Sequence, residues 1–246
     1  GRLIVLVPPE LESLCRTSFQ AVGNVDVVRD DVMPHDGWPR GLHVPPHDVV
    51  VLSERLPDLL EPVNGSPVLR PTTTASLGPG RHVGVVWAAG DWMQRRGGDP
   101  LARSMPLEPL ASALLAIPDV TVHSLQVGPA AEQLATFPKI RRHVLDTFDA
   151  TAGVAVQLDA VVSVDTSVAH LAAACGVPTL MLLTRDPAER WGWVGERTPW
   201  YQSMCLLRQR AAGDWRDVIA RAAQRIGDSN LPPRLGAAIA MYAERT

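Results

Sequence analysis

The stretch Ala160-Val-Val-Ser-Val-Asp-Thr-Ser-Val-Ala-His-Leu171 decides how the rest of the chain is read. A run of apolar and small residues passes straight into Asp165-Thr166-Ser167, three residue types that cap helices well. Val168, Leu171, Ala172 and Cys175 then recur at i, i+3, i+4 and i+7. A strand that turns into a helix within three residues aims the helix N-terminus into the crevice beyond the strand's carboxyl end. Unmet backbone N–H groups and the helix dipole stabilise an anion there by roughly 0.3–1 kcal/mol, and by up to about 2 when partly buried. The hydroxyls of Thr166 and Ser167 add donors for phosphate oxygens. At about 100° per residue His170 falls nearly opposite the apolar stripe and on the side of Thr166. Two readings stand on this segment alone: an anion site, or a plain helix cap with a solvated histidine.

Working outward, short β-branched runs alternate with helical stretches. Strands are predicted at Leu3 to Val7, Val25 to Val28, Val49 to Leu52, His82 to Trp87, Val120 to Leu125, Ala160 to Val164 and Thr179 to Leu183. Helices are predicted at Glu10 to Ala21, Leu107 to Ala116, Thr151 to Gln157, Ser167 to Cys175 and Trp215 to Ile226, with one more in the tail from Asn230 to Thr246. Such alternation implies βαβ crossovers and a parallel, Rossmann-like sheet. The Thr/Ser/Gly/Pro-rich segment Pro71 to Gly80 reads as a linker. The division is then a small α/β unit over 1–75, a Rossmann-like ligand-binding domain over 76–228 and a helical tail over 229–246.

Composition narrows the function. The chain has 246 residues with 23 Lys+Arg against 26 Asp+Glu, a net charge of -3, so nothing draws it to nucleic acid or anionic lipid in general. No apolar run is long enough for a membrane span, no signal peptide is recognisable, and three scattered cysteines without a CxxC pair point to a reducing, cytoplasmic compartment. Lys139 is the only lysine, an arginine bias that GC-rich coding would produce everywhere.

Two further strand ends carry polar residues. After Trp87 comes an arginine-bearing loop, in which Arg103-Ser104, just before the helix-starting Met105-Pro106, is a better candidate for a diphosphate than the Arg95-Arg96 pair. Gln126, after the next strand, has the groups to hydrogen-bond a base or sugar, though a glutamine there is more often incidental. Trp191, Trp193, Trp200 and Tyr201 crowd one loop; packing is the commoner role at such density, and stacking on a sugar or base by one of them is the alternative. His35, His43 and His47, near Asp36 and Asp48, do not make a convincing metal site, because Pro45 and Pro46 forbid the helix that the His43-x3-His47 spacing needs. No GxGxxG, P-loop, HExxH or nucleophile elbow occurs.

Taken in order, Val85 to Trp87 (VVW), Arg103 to Leu110 (RSMPLEPL), Ser124 to Gly128 (SLQVG), Leu158 to Leu183, the Trp191/Trp193 loop, and Pro199 to Gln209 (PWYQSMCLLRQ) with Gly213-Asp-Trp215 resemble the C-terminal half of glycosyltransferase family 9, the heptosyltransferase relatives. The likeness is closest to the branch linked to tetratricopeptide repeats and covers about residues 80 to 226. It implies a GT-B-like architecture of two Rossmann-like domains, the N-terminal one truncated or reduced. It also implies hexosyl or heptosyl transfer from a nucleotide diphosphate-sugar without a metal or other cofactor, with inversion. The residues assigned to the donor are Asp165, Thr166, Ser167, His170, Arg103, Ser104, Trp87 and Gln126. Where heptosyltransferases use a lysine for phosphate this chain has none, so an arginine must substitute. The family's Gly-rich front segment, with its catalytic-base aspartate, has no counterpart here; Asp91 is a distant candidate, and a missing segment or partner chain is the expected source. The acceptor, whether glycan, lipid or protein, is not specified. The alternative reading is a noncatalytic relative that binds nucleotide-sugar or protein.

Overall fold

Continuous apolar runs give continuous buried strands, and the order in which they pair decides where a ligand can enter. The computed structural model describes residues 1–20, 22–29, 67–90 and 103–236. The expected Val49 to Leu52 strand, the histidines and aspartates between 35 and 48, Asp91 and the Arg95-Arg96 pair lie outside those residues.

A first β/α/β unit comprises β1 (Leu3–Val7), α1 (Pro9–Phe19) and β2 (Val25–Arg29), with the two strands parallel. The main sheet follows: β3 (Arg81–Val86), α2 (Leu107–Leu115), β4 (Val120–Ser124), α3 (Phe148–Ala155), β5 (Ala160–Val164), α4 (Ser167–Ala174), β6 (Thr179–Leu183), β7 (Met204–Arg208) and α5 (Trp215–Gly227). Its order is β4-β3-β5-β6-β7, parallel throughout. This is the parallel α/β sheet that the alternation predicted.

Every residue of β5 and β6 is buried, as strands covered on both faces must be. Helices α2 and α5 pack on one face, where Leu107, Leu110, Val218 and Ile219 meet Val83, Val85, Val162 and Leu182. The other face takes α3 and α4, whose Ala152, Val168 and Leu171 cluster with Val86, Val161 and Leu125; Leu14 of α1 joins them. Alternate residues of β5 therefore serve opposite layers.

The predicted linker carries no regular structure, but it is strapped to α3. Thr72 N–H donates to Asp149 Oδ1 at 2.9 Å and Ala75 N–H to Gly153 O at 3.0 Å. Gly153 has to be a glycine, since a Cβ would sit 2.5 Å from the Thr73 carbonyl oxygen. The tail helix expected from Asn230 does not begin within the described residues: 230–236 are irregular, Pro232 and Pro233 lack the N–H a helix needs, and Leu235 N–H instead bonds Gly176 O at 3.0 Å.

Candidate functional site

Strand order reverses between β3 and β5: the chain runs out from β3 to β4, then returns to β5 on the other side. In open parallel sheets the crevice beyond the carboxyl ends at such a reversal is the place where helices and loops diverge and leave room for a ligand. Asp165 lies at the end of β5 and Trp87 at the end of β3, so both border this point.

Asp165 is the hub. Its carboxylate, only 5% exposed, accepts from Arg103 Nη1 and Arg190 Nη2 at 3.3 Å each, both on Oδ2. Its Oδ1 lies 3.9 Å from His170 Nε2. The partners come from the loops after β3 and β6 and from α4, so three carboxyl-end loops converge on one buried anion. A cavity of about 90 Å³ opens beside them, lined by Arg103, Asp165, Thr184, Asp186 and Ala188 among others.

His170 is neither core nor free surface. Its Nδ1 meets the Tyr201 hydroxyl at 3.0 Å, and its ring stacks on Trp191 with centroids 5.0 Å apart. Burial pulls the His170 pKa below its ordinary value; the Asp165 charge opposes the shift and Arg190 adds to it. Burial likewise raises the Tyr201 phenol. With both groups neutral, a Tyr201 O–H donating to Nδ1 leaves the imidazole proton on Nε2, facing Asp165.

The segment that opened the sequence reading divides into three roles. Thr166 is the N-cap of α4: its Oγ1 accepts from Ala169 N–H at 3.4 Å and meets Ser163 Oγ at 3.0 Å. Because Ser163 Oγ donates to Val164 O at 2.7 Å, the Thr166 proton is left to Ser163. Thr166 thus has no hydroxyl proton to spare for a phosphate, whereas Ser167 is exposed at the first helical position with an N–H that has no intrahelical partner. Asp165 is not a cap but the ion-pair hub.

The other expected donor contacts are scaffold in this structure. Trp87 is fully buried in the core beside Met105 and Leu107, so its ring offers no face to a ligand. Gln126 is a brace: Oε1 accepts from Trp87 N–H at 3.1 Å and Ala88 N–H at 2.9 Å, while Nε2 donates to the Ala88 and Val127 carbonyls. Its carboxamide is saturated by backbone and has nothing left for a base. Ser104 Oγ accepts from Ala89 N–H at 3.0 Å, and Met105 N–H donates to Trp87 O, which together tie down the loop that delivers Arg103.

Arg190 was not anticipated. The signal for it was present, since the residues after β6 also leave a carboxyl end, but the crowded tryptophans beside it invited a packing reading. That reading holds for Trp191, which is buried and clusters with Met181 and Leu206.

These features define an α/β protein with a mixed-charge cluster at the reversal point of a parallel sheet. Within it, residues 147–213 match the family model of glycosyltransferase family 9 (heptosyltransferase). The matched stretch contains Asp165, His170, Arg190 and Tyr201, and supports a glycosyltransferase type of function; Arg103 and Gln126 lie before it. No curated protein matches the chain. Among the described residues no helix is long and apolar enough to cross a membrane, and no three His, Cys, Asp or Glu side chains are grouped to hold a metal ion.

Proposed function

We propose that the chain is the donor-binding part of a glycosyltransferase that moves a hexosyl or heptosyl group from a nucleotide diphosphate-sugar to an acceptor hydroxyl, without a metal and with inversion. The convergence of Arg103, Arg190 and His170 on Asp165, beside the first turn of α4, carries this reading. When the anomeric C–O bond breaks, its electron pair stays on the diphosphate oxygen. Fixed guanidinium groups, the Ser167 N–H and the helix dipole stabilise that charge without reorganising. The acceptor hydroxyl gives its proton to a base as the new C–O bond forms on the opposite face. Asp165 is unsuited to be that base because its Oδ2 is taken by two arginines, its Oδ1 faces His170, and its side chain is nearly buried, so the base comes from outside this cluster.

That last observation favours a second reading, a noncatalytic relative that binds nucleotide-sugar without turning it over. Calorimetry of the full chain with UDP, ADP, GDP and CDP tests the first step. Binding of at least one, weakened in Arg103→Ala, is expected; no binding of any sinks the donor site. Release of sugar or of the nucleoside diphosphate from a donor, lost in His170→Ala, separates the enzyme from the silent binder.

A further inference from the structure

We propose that Arg190 is a second guanidinium contact for the diphosphate, and that Asp165 is the positioning residue that presents Arg190 and Arg103 together so that the site selects diphosphates over monophosphates. This deepens the donor-site reading and rests on it.

Two cations meet one carboxylate oxygen at 3.3 Å each, so their contacting nitrogens are no more than twice that distance apart. One carboxylate compensates one guanidinium, and the second positive charge is held in place against repulsion. A site that needs only a structural ion pair has no use for it. The two arginines also differ in reach: the Arg103 side chain is 21% exposed and that of Arg190 47%. The inner cation suits a phosphate seated in the cavity, and the outer one suits the next phosphate along.

Both are built to wait for a ligand. Each described contact spends a single nitrogen, leaving most of a five-donor fork free for bidentate bonds to phosphate oxygens. Arg190 is fixed by means that leave those donors free: its carbonyl accepts from the Trp200 indole N–H at 2.9 Å, and its guanidinium lies 5.6 Å from the Trp191 ring centroid. Trp191 in turn stacks on His170, so the outer arginine, the neutral imidazole and the buried carboxylate form one block. Asp186, exposed on the cavity wall, is a second carboxylate beside Asp165 and makes no ion pair among the described residues.

The test compares each nucleoside diphosphate with its monophosphate (UDP and UMP, ADP and AMP, GDP and GMP, CDP and CMP) by calorimetry on the wild-type chain, Arg190→Ala and Arg190→Lys, with melting curves as a check on folding. Wild type should prefer the diphosphate of at least one pair by about tenfold or more. In Arg190→Ala that preference should collapse, through loss of diphosphate affinity with monophosphate binding nearly unchanged, and Arg190→Lys should restore part of it. A merely structural role would weaken both members of a pair equally, and that result overturns the proposal, as does an unaltered preference in Arg190→Ala. Wild type that binds neither member of any pair overturns the donor site itself and this inference with it.

Discussion

The sheet carries two buried polar clusters that obey opposite rules. At the carboxyl ends, Asp165 is shared by two arginines whose remaining donors have nowhere in the described structure to go. His82 on β3, His123 on the edge strand β4 and His143 in the segment that follows form a linked row instead: His82 Nδ1 to His123 Nε2 is 3.0 Å, and His123 Nδ1 to His143 Nε2 is 2.8 Å. The row ends on a carbonyl, with His82 Nε2 3.1 Å from Gly78 O. A carbonyl can only accept, so His82 carries a proton on Nε2, and with every ring neutral His123 and His143 each do the same in turn. The donors then point one way, and every ring nitrogen from His82 Nε2 to His143 Nε2 has a partner. Saturation marks scaffold, whereas surplus marks a place for a guest.

Acid breaks the comparison most forcefully. Burial, assisted by the neighbouring histidines and Arg141, lowers the His123 pKa to about 4. Burial lowers His143 as well. The unfolded chain therefore binds more protons than the folded one between about pH 6.5 and 4, so stability falls as pH falls through that window, by about 3 kcal/mol from His123. Urea denaturation at pH 7.5, 5.5 and 4.5 checks this. In His123→Phe the overall stability is lower but the slope across the window should flatten. An equally steep slope in that variant would mean the row is not what senses pH.

The charged cluster should show the converse, a loss of ligand with little loss of fold. Arg103→Met removes one of two cations, and Asp165 keeps Arg190, so the melting temperature changes little. Nucleoside diphosphate affinity should drop ten- to a hundredfold, about 1.4–2.7 kcal/mol. A large stability loss with intact binding would reverse the roles assigned to the two clusters. Between these extremes lies Tyr201→Phe, which deprives His170 Nδ1 of its 3.0 Å partner while keeping the ring packing. It should cost about 1 kcal/mol in urea denaturation.

How much of this was legible beforehand follows from the physics of each residue. The bounds of β1, β5 and β6 could be read to the residue, because short apolar runs bounded by polar or turn residues mark strands, whether half-buried as in β1 or buried throughout as in β5 and β6. β7 escaped: Met204-Cys-Leu-Leu-Arg208 lacks β-branched residues and hides behind a Trp/Tyr-rich loop. The meeting of Arg103 with Asp165 could be anticipated from strand ends alone, since a parallel sheet brings all such ends to one edge. What could not be read was which polar groups the backbone consumes. Gln126 and Thr166 look like ligand contacts in sequence, yet backbone amides and a neighbouring serine use them up, and such bonds depend on register and loop geometry that no periodicity reveals.

Trp193 sharpens the contrast from the side where least should happen. It is 63% exposed, two residues from the buried Trp191, and looks as much like a stacking platform as any aromatic in the chain. Its loop, however, is held through backbone: Arg208 donates to the carbonyls of Trp191 at 2.6 Å and Gly192 at 3.2 Å, and to that of Gly195. Gly192 and Gly195 supply the positive φ angles, 65° and 82°, that the turn requires. None of these bonds involves the Trp193 side chain, so Trp193→Ser should change stability by less than about 0.5 kcal/mol and leave nucleoside diphosphate affinity where it was. If that substitution instead weakens diphosphate binding severalfold, the donor extends beyond the Asp165 cluster onto this loop, and the boundary drawn between guest site and scaffold must be moved outward to include it.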